Sequence, residues 1–288
     1  MKRIICIVAV LFTFVQVAFA QENASLPPSN YLSFKAGIGG TVITDEWLSP
    51  LRYGGTAYTL SGEGEFPFTH KGQWMLRMDS YFQYSNTLNP AQNASISYFR
   101  GEFHPEAMVR FALPYGFRLG VGPGIRIAGG ARIHSRNGNN PASFDAKADI
   151  TAGVLLGWRV PSPKWPIALR LYANINTIGV ANRIGYAESY YEQFYVDGGF
   201  VRSALCTHWG NQLQSTLSFT VDVPLWNAIT LQAGYRFDAD AARISSRRRI
   251  MTTHTGFVGI SFETLWLRGR RATTSDKAKS FLFGNVAL

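Results

Sequence analysis

Apolar and polar residues alternate along much of this sequence, as in β-strands with one apolar face. In the stretch 229–237, Leu231, Ala233 and Tyr235 share one face, and polar residues such as Gln232 occupy the other. A helical repeat of 3.6 residues does not fit this stretch. Nine further segments follow the same alternation with varying clarity: 30–44, 54–66, 72–85, 96–112, 115–130, 144–160, 166–181, 213–223 and 257–266.

The length and polar face of these segments favour membrane-spanning strands. A transmembrane strand needs about 9–11 residues, with one face toward lipid and the other toward the lumen. The polar faces here are rich in Gly, Asn, Gln and Thr, and aromatic residues such as Trp74, Trp158 and Trp266 lie near the segment ends. A soluble β-sandwich also alternates, but it would carry more charge on its outer face. The pattern therefore predicts an all-β, transmembrane, antiparallel up-and-down barrel.

The connections between the segments alternate in length. Short turns lie near 67–72, 113–116, 161–166 and 224–227, and longer polar loops lie near 45–53, 86–95, 131–141 and 242–249. In bacterial barrels, the short turns face the periplasm and the longer loops face outward. We expect the same arrangement here.

The number of strands depends on the stretch 190–209. Asp197-Gly198-Gly199 is a tight-turn sequence between two short candidate strands, 190–196 and 200–209. If both cross the membrane the barrel has twelve strands, and if they form an external hairpin it has ten. If the segments before and after a turn at 209–212 pair with each other, the Asp197 turn lies level with Val223-Pro224, at the periplasmic end. This register favours twelve strands.

The N-terminus has the layout of a cleaved secretory signal peptide. Lys2 and Arg3 precede an apolar run at 4–20 that ends in the small-x-small site Ala18-Phe19-Ala20. We expect residues 1–20 to be the signal peptide, 21–29 a linker, 30–267 the barrel and 268–288 a periplasmic tail.

Composition supports a barrel rather than a helical membrane protein. Mean hydropathy is −0.03, and no apolar run after the signal peptide approaches the length of a membrane-spanning helix. Charged residues make up only 16% of the chain, against about 25% in typical soluble domains. Cleavage would leave Cys206 as the single cysteine, which excludes an internal disulfide. We expect no metal site and no cofactor.

These features together resemble the small outer-membrane β-barrel proteins of Gram-negative bacteria, in particular barrel families of unknown function. The resemblance covers about 30–267 and rests on the signal peptide, the alternating strands with aromatic ends and the short-turn, long-loop order. It implies location in the bacterial outer membrane after export. It also implies contact with outer-membrane lipid and lipopolysaccharide, insertion by the barrel-assembly machinery and no nucleic-acid partner.

Charged residues on the inward faces are predicted to form a network inside the barrel. Nine are basic and nine are acidic, so the interior is balanced in charge. Buried charges must be paired or hydrated. A packed structural network is the favoured interpretation, and a solute pathway is the alternative. The predicted members are Lys35, Glu63, Glu65, Arg77, Asp79, Arg100, Glu102, Glu106, Arg110, Arg118, Arg126, Asp149, Arg159, Arg170, Asp222, Arg236, Asp238 and Glu263.

A non-enzymatic role is predicted: a narrow, porin-like channel, a receptor surface or a structural membrane component. The alternative is a lipid- or peptide-hydrolysing barrel enzyme. Its weak candidate base is His104, which shares an inward face with Glu102 and Glu106. No arrangement of residues in the sequence matches a known hydrolytic site.

Two basic clusters are predicted to lie outside the barrel wall. Arg247, Arg248 and Arg249 fall in the last external loop and are candidates for contact with lipopolysaccharide phosphate. Arg268, Arg270 and Arg271 begin the C-terminal tail. The tail ends in apolar residues, and a periplasmic partner for it is one of the interpretations left open.

Overall fold

Eleven β-strands account for most of the described chain, and they begin and end close to the alternating segments of the sequence. The computed structural model describes residues 31–67, 74–138, 141–160, 167–183, 204–226, 229–244 and 247–263. A single turn of 3₁₀ helix, Pro114–Gly116, forms the tight connection between the fourth and fifth strands. The strands are β1 (Tyr31–Asp45), β2 (Ser49–Pro67), β3 (Trp74–Leu88), β4 (Ser95–Ala112), β5 (Phe117–His134), β6 (Ala142–Arg159), β7 (Ala168–Arg183), β8 (Ala204–His208), β9 (Gln212–Trp226), β10 (Ile229–Ile244) and β11 (Arg247–Glu263).

The strands close into a barrel in which every neighbouring pair is antiparallel. β1 pairs with β2 on one side and with β11 on the other, and β6 pairs with β7, so the sheet has no open edge there. The ring runs β1-β2-β3-β4-β5-β6-β7-β9-β10-β11 and contains ten strands. We call the end that carries the connections 46–48, 89–94 and 135–141 the loop end. The opposite end, where β1 starts and β11 finishes, is the turn end.

The twelve-strand prediction is wrong, and the ten-strand alternative describes the ring. β8 is a five-residue strand that pairs with the loop-end half of β7, from Ile178 to Asn182, while β9 pairs with the turn-end half. β8 and β9 are therefore two parts of one descending passage, interrupted at 209–211. The candidate strand at 190–196 and its turn lie outside the described residues.

The outer wall is apolar over most of its height. Large apolar side chains such as Phe34, Leu60, Phe82, Ile127 and Leu217 are exposed on it. A monomeric soluble protein rarely exposes an apolar surface of this extent, whereas a barrel in a bilayer requires one. Ring closure also gives each of the ten ring strands a paired neighbour on both sides, as lipid requires. The chain is thus an all-β barrel of the outer-membrane type.

Aromatic side chains lie at the turn end of the wall, as expected at a membrane interface. Trp74 is exposed there, and the rings of Phe117 and Trp158 are stacked with centroids 5.4 Å apart. Among the described residues, no helix has the length and apolar character needed to cross a membrane.

Candidate functional site

The lumen is the candidate site, because the strand alternation directs almost all the buried charge of the protein into it. Among the described residues, ten cationic side chains face the interior: Lys35, Arg77, Arg100, Arg110, Arg126, Arg132, Lys147, Arg170, Arg236 and Arg249. Eleven anionic side chains face them: Asp45, Glu63, Glu65, Asp79, Glu102, Glu106, Asp145, Asp149, Asp222, Asp238 and Asp240. The two sets nearly cancel, which is a requirement for holding so many charges away from bulk water.

Arg170 on β7 links three other strands near the turn end. Its Nε lies 2.6 Å from Oδ2 of Asp222 and its Nη2 lies 3.2 Å from Oδ1, a two-point pair. Its Nη1 donates to the Tyr31 hydroxyl and lies 3.5 Å from Oε1 of Glu63. A planar guanidinium suits this geometry because it presents several donors in fixed directions.

Glu63 on β2 joins this layer to the middle of the barrel. Besides Arg170, it accepts from Lys35 and from Nε of Arg77, which lies 3.1 Å from Oε1. Nη1 of Arg77 lies 2.7 Å from Oε2 of Glu106 on the adjacent strand β4. Its guanidinium carbon lies 3.7 Å from the ring centroid of Tyr172, across the lumen on β7. One carboxylate thus receives cations from three different strands.

Two further arginine centres occupy the middle of the lumen. Arg236 holds both oxygens of Asp238, at 2.8 and 3.2 Å, and reaches Asp79 at 3.1 Å. Arg126 lies 3.0 Å from Glu102, which also accepts from Arg100. These contacts cross from β10 to β3 and from β5 to β4.

A third layer lies toward the loop end and contains residues absent from the predicted network. Arg132 lies 2.9 Å from Asp45 and 2.5 Å from Asp145. Arg249 lies 2.9 Å from Asp145 and 3.1 Å from Asp240. A lysine from β6 completes the layer, since Nζ of Lys147 lies 2.5 Å from Oδ2 of Asp240.

The prediction that Arg249 contacts external lipid is therefore wrong. Arg249 lies in β11, on its inward face, and is 2% exposed. β10 and β11 continue to Ile244 and Arg247, so the predicted external loop 242–249 is mostly strand. Arg248 does lie on the outer face and is exposed, and Arg247 is half-exposed at the start of the strand.

Fifteen of the eighteen predicted network members face the lumen. Arg118 is on the inward face of β5 near the turn end, opposite Gly157, and is half-exposed. The side chains of Arg159 and Glu263 lie outside the described residues. Arg110 and Asp149 are buried on inward faces, and Asp149 accepts from the Thr207 hydroxyl at 3.3 Å.

His104 lies in the closed centre of the lumen rather than at a rim. Its Nε2 lies 2.7 Å from the Thr151 hydroxyl and 3.7 Å from Oε1 of Glu106, while Nδ1 lies 3.4 Å from the Tyr172 hydroxyl. The Tyr172 hydroxyl donates a hydrogen bond to Oε2 of Glu106, at an O···O distance of 2.7 Å. A histidine, a hydroxyl and a carboxylate are thus together, but His104 and Glu106 have no exposed side-chain surface.

Two apolar clusters pack beside the charged groups of the lumen. The turn-end apolar cluster consists of Met75, Met108, Leu155 and Tyr172. The loop-end apolar cluster consists of Ile43, Trp47, Leu48, Tyr53, Ala94, Ile96, Tyr98 and Met251. Trp47 and Leu48 belong to the connection between β1 and β2, so this connection folds over the lumen instead of extending away from it.

One cavity among the central charges is very small. A cavity bounded by Arg77, Arg170, Arg236 and Tyr172 has a volume of about 20 Å³. That volume holds about one water molecule. Within the described ranges, no group of three or more His, Cys, Asp or Glu side chains is arranged to hold a metal ion.

Comparison with solved structures finds other β-barrels. The chain is similar to Neisserial surface protein A, with 11% identity, a TM-score of 0.33, and coverage of 81% of this chain and 96% of that one. It is similar to the outer membrane protease OmpT from Escherichia coli, with 6% identity, a TM-score of 0.48, and coverage of 84% and 99%. It is also similar to the translocator domain of the autotransporter NalP from Neisseria meningitidis, with 10% identity, a TM-score of 0.43, and coverage of 91% of this chain and 98% of that one.

A family model matches almost the whole length of the sequence. No curated protein matches the chain. The family model, described as "Protein of unknown function (DUF3316)", matches residues 4–271 and so includes every strand of the ring. Because the match covers far more than half of the chain, the protein belongs to the DUF3316 family.

Proposed function

We propose that this protein is a non-enzymatic outer-membrane barrel with a sealed lumen. It acts through its outer wall and its loop-end surface, as a receptor or structural component of the membrane. The observation that carries the proposal is the interlocked interior, in which Arg126, Arg132 and Arg249 are among the largest fully buried side chains. A pore of useful width would leave such side chains hydrated along a continuous path.

The size of the ring is consistent with a filled interior. Eight-stranded barrels are just wide enough for side chains to fill, and porins with sixteen or more strands leave an aqueous channel. Ten strands lie near the lower limit, and many of the buried inward side chains are arginines. Arginines that reach across the lumen, Arg77 to Tyr172 and Arg236 to Asp79, fill the additional width. This favours a sealed barrel over a narrow channel.

Solute flux into liposomes tests the proposal. Proteoliposomes that carry the purified barrel should swell no faster in arabinose than protein-free liposomes, while a sixteen-stranded porin at the same density swells rapidly. Swelling of the barrel liposomes at a rate comparable to the porin would overturn the sealed lumen.

The hydrolase alternative depends on His104 and its neighbours. A catalytic base must reach the proton that it removes from a bound substrate or nucleophile. The imidazole of His104 instead contacts Thr151 and Tyr172 in the closed interior, which supports a structural role. We expect wild-type protein and His104→Gln to be equally inactive on fluorogenic phospholipids and peptides. Hydrolysis by the wild type that His104→Gln abolishes would support the enzyme instead.

A further inference from the structure

Two exposed arginines lie opposite each other at the loop end of the outer wall. Arg243 on β10 is in register with Arg248 on β11, and both are exposed on the face turned away from the lumen. Opposite residues of an antiparallel pair have Cβ atoms about 4.5–5.5 Å apart, and like charges at this separation destabilise the sheet. Within the part of the chain that the structure describes, neither guanidinium forms an ion pair. The pair is therefore a concentrated positive charge with room for an anion.

A crevice of about 510 Å³ adjoins the two arginines. It lies beside the interruption of the descending strand at 209–211, where β8 pairs with β7 and the pairing of β9 with β10 ends at Ala242. The backbone N–H of Arg243 then donates to the carbonyl of Asn211 at 2.7 Å. Apolar side chains line the lower part of the crevice, toward the membrane: Trp209, Leu213, Ala241 and Ile250.

One carboxylate borders the crevice. Glu46 lines it, and its Oε2 accepts the backbone N–H of Arg248 at 2.8 Å. The carboxylate is thus bonded to the strand edge instead of to a guanidinium. It lowers the attraction for an anion, but Arg243 and Arg248 against one carboxylate leave the crevice positive. Arg249 also lines the crevice, and its charge is paired with Asp145 and Asp240.

We propose that this crevice binds a phosphate-bearing lipid of the leaflet at the loop end. The phosphate lies between Arg243 and Arg248, and an acyl chain lies against Leu213, Ala241 and Ile250. Guanidinium groups bind phosphate through paired, charge-assisted hydrogen bonds. The apolar lining is continuous with the lipid-facing wall, and a free phosphate ion would leave this lining without a partner. The proposal is independent of the sealed lumen, since both arginines point away from it.

Calorimetric titration of the full chain in detergent micelles tests this site, with bis-phosphorylated lipid A as the probe. We expect the double variant Arg243→Gln/Arg248→Gln to weaken binding of lipid A by about tenfold or more, because each substitution removes charge-assisted bonds to the phosphate. The matched control is Arg52→Gln, which removes an exposed arginine of the outer wall that does not line the crevice, and it should bind like wild type. Glu46→Gln should bind more tightly than wild type.

Three results would overturn the proposal. The first is equal affinity of the double variant and the wild type. The second is equal affinity for lipid A and its fully dephosphorylated form, which would mean that only the apolar lining binds. The third is displacement of lipid A by millimolar inorganic phosphate, which would indicate a free-anion site. If the double variant fails to fold, Ala241→Trp fills the lower crevice with both arginines intact, and unchanged affinity in that variant would contradict the site equally.

Discussion

Arg170 illustrates how single residues hold this barrel together. It is attached to β7, yet it bonds to Tyr31 of β1, Glu63 of β2 and Asp222 of β9. β9 is a neighbour of β7 in the ring, whereas β1 and β2 are separated from β7 by at least three other strands. The residue therefore braces the wall across the lumen, in addition to the backbone bonds that join neighbouring strands.

Arg170→Ala should destabilise the barrel strongly. The substitution leaves Asp222 and Glu63 buried with less compensating charge, and removing one partner of a buried pair costs about 3–5 kcal/mol. Urea unfolding in detergent micelles measures the free energy of unfolding. Arg52→Ala, on the outer wall, should stay within about 0.5 kcal/mol of wild type. Equal free energies of unfolding for the two variants would show that the contacts of Arg170 across the lumen do not stabilise the barrel.

Gly153 offers a second residue-scale prediction, because it faces the side chain of Glu106. A Cβ at Gly153 would lie 2.1 Å from Oε1 of Glu106, so Gly153→Ala must displace that carboxylate from Arg77. Overpacking of this kind costs about 1–3 kcal/mol. Gly101→Ala is the matched control, because a Cβ there meets nothing within 4 Å. The same urea titration should separate the two variants, and a neutral Gly153→Ala would contradict the packed interior.

The alternation of the sequence predicts the inward direction of residues such as Glu63, Arg77 and Asp222, because strand geometry alone fixes it. It cannot predict which charges pair. Arg77 and Glu106 meet on adjacent strands, but Arg170 and Glu63 are 107 residues apart in sequence and meet only after the ring has closed. Pairing across a lumen depends on strand number and stagger, which no local pattern encodes.

At the scale of elements, the strands extend further toward the loop end than the sequence predicts. β5 continues to His134, and β11 begins at Arg247. Beyond the hydrocarbon layer the outward positions no longer have to be apolar, so the alternation fades while the backbone pairing persists. For this reason Arg132 and Arg249 resemble loop residues in the sequence, although both are fully enclosed.

The ten-strand ring makes a specific prediction about β8. Val180 on β7 is directly opposite Cys206 on β8, and both are exposed on the outer wall. Residues in this position have Cα atoms within the range of about 4.4–6.8 Å that a disulfide requires. Val180→Cys should therefore form an intramolecular disulfide with the native cysteine under mild oxidation.

Mass spectrometry of peptides from the oxidised, non-reduced protein detects this disulfide. Ala181→Cys is the control, because Ala181 is buried on the inward face and should not link to Cys206. In a twelve-strand ring, 200–209 would lie beside 190–196 and not beside β7. Absence of the Val180→Cys link in folded protein would therefore argue for that arrangement.

At the scale of the whole molecule, the interior charges determine shape more than stability. A buried ion pair gains little net free energy, because desolvation offsets attraction, although breaking one is costly. Three layers of such pairs, with apolar clusters packed beside them, favour one arrangement of the ring over its alternatives. In an aqueous channel, water would hydrate these charges instead. The loop-end apolar cluster, which includes Trp47, would then lose its packing partners over the lumen.

Single-channel recording in planar lipid bilayers tests the sealed lumen most directly. Wild-type protein inserted from micelles, with insertion verified by a fluorescent label, should produce no stable conductance steps in about 1 M KCl, where the Debye length is only about 3 Å. Arg126→Ala/Arg236→Ala, which removes two central guanidiniums, should produce small or flickering steps where the wild type is silent. Large, stable conductance of the wild type would contradict the account.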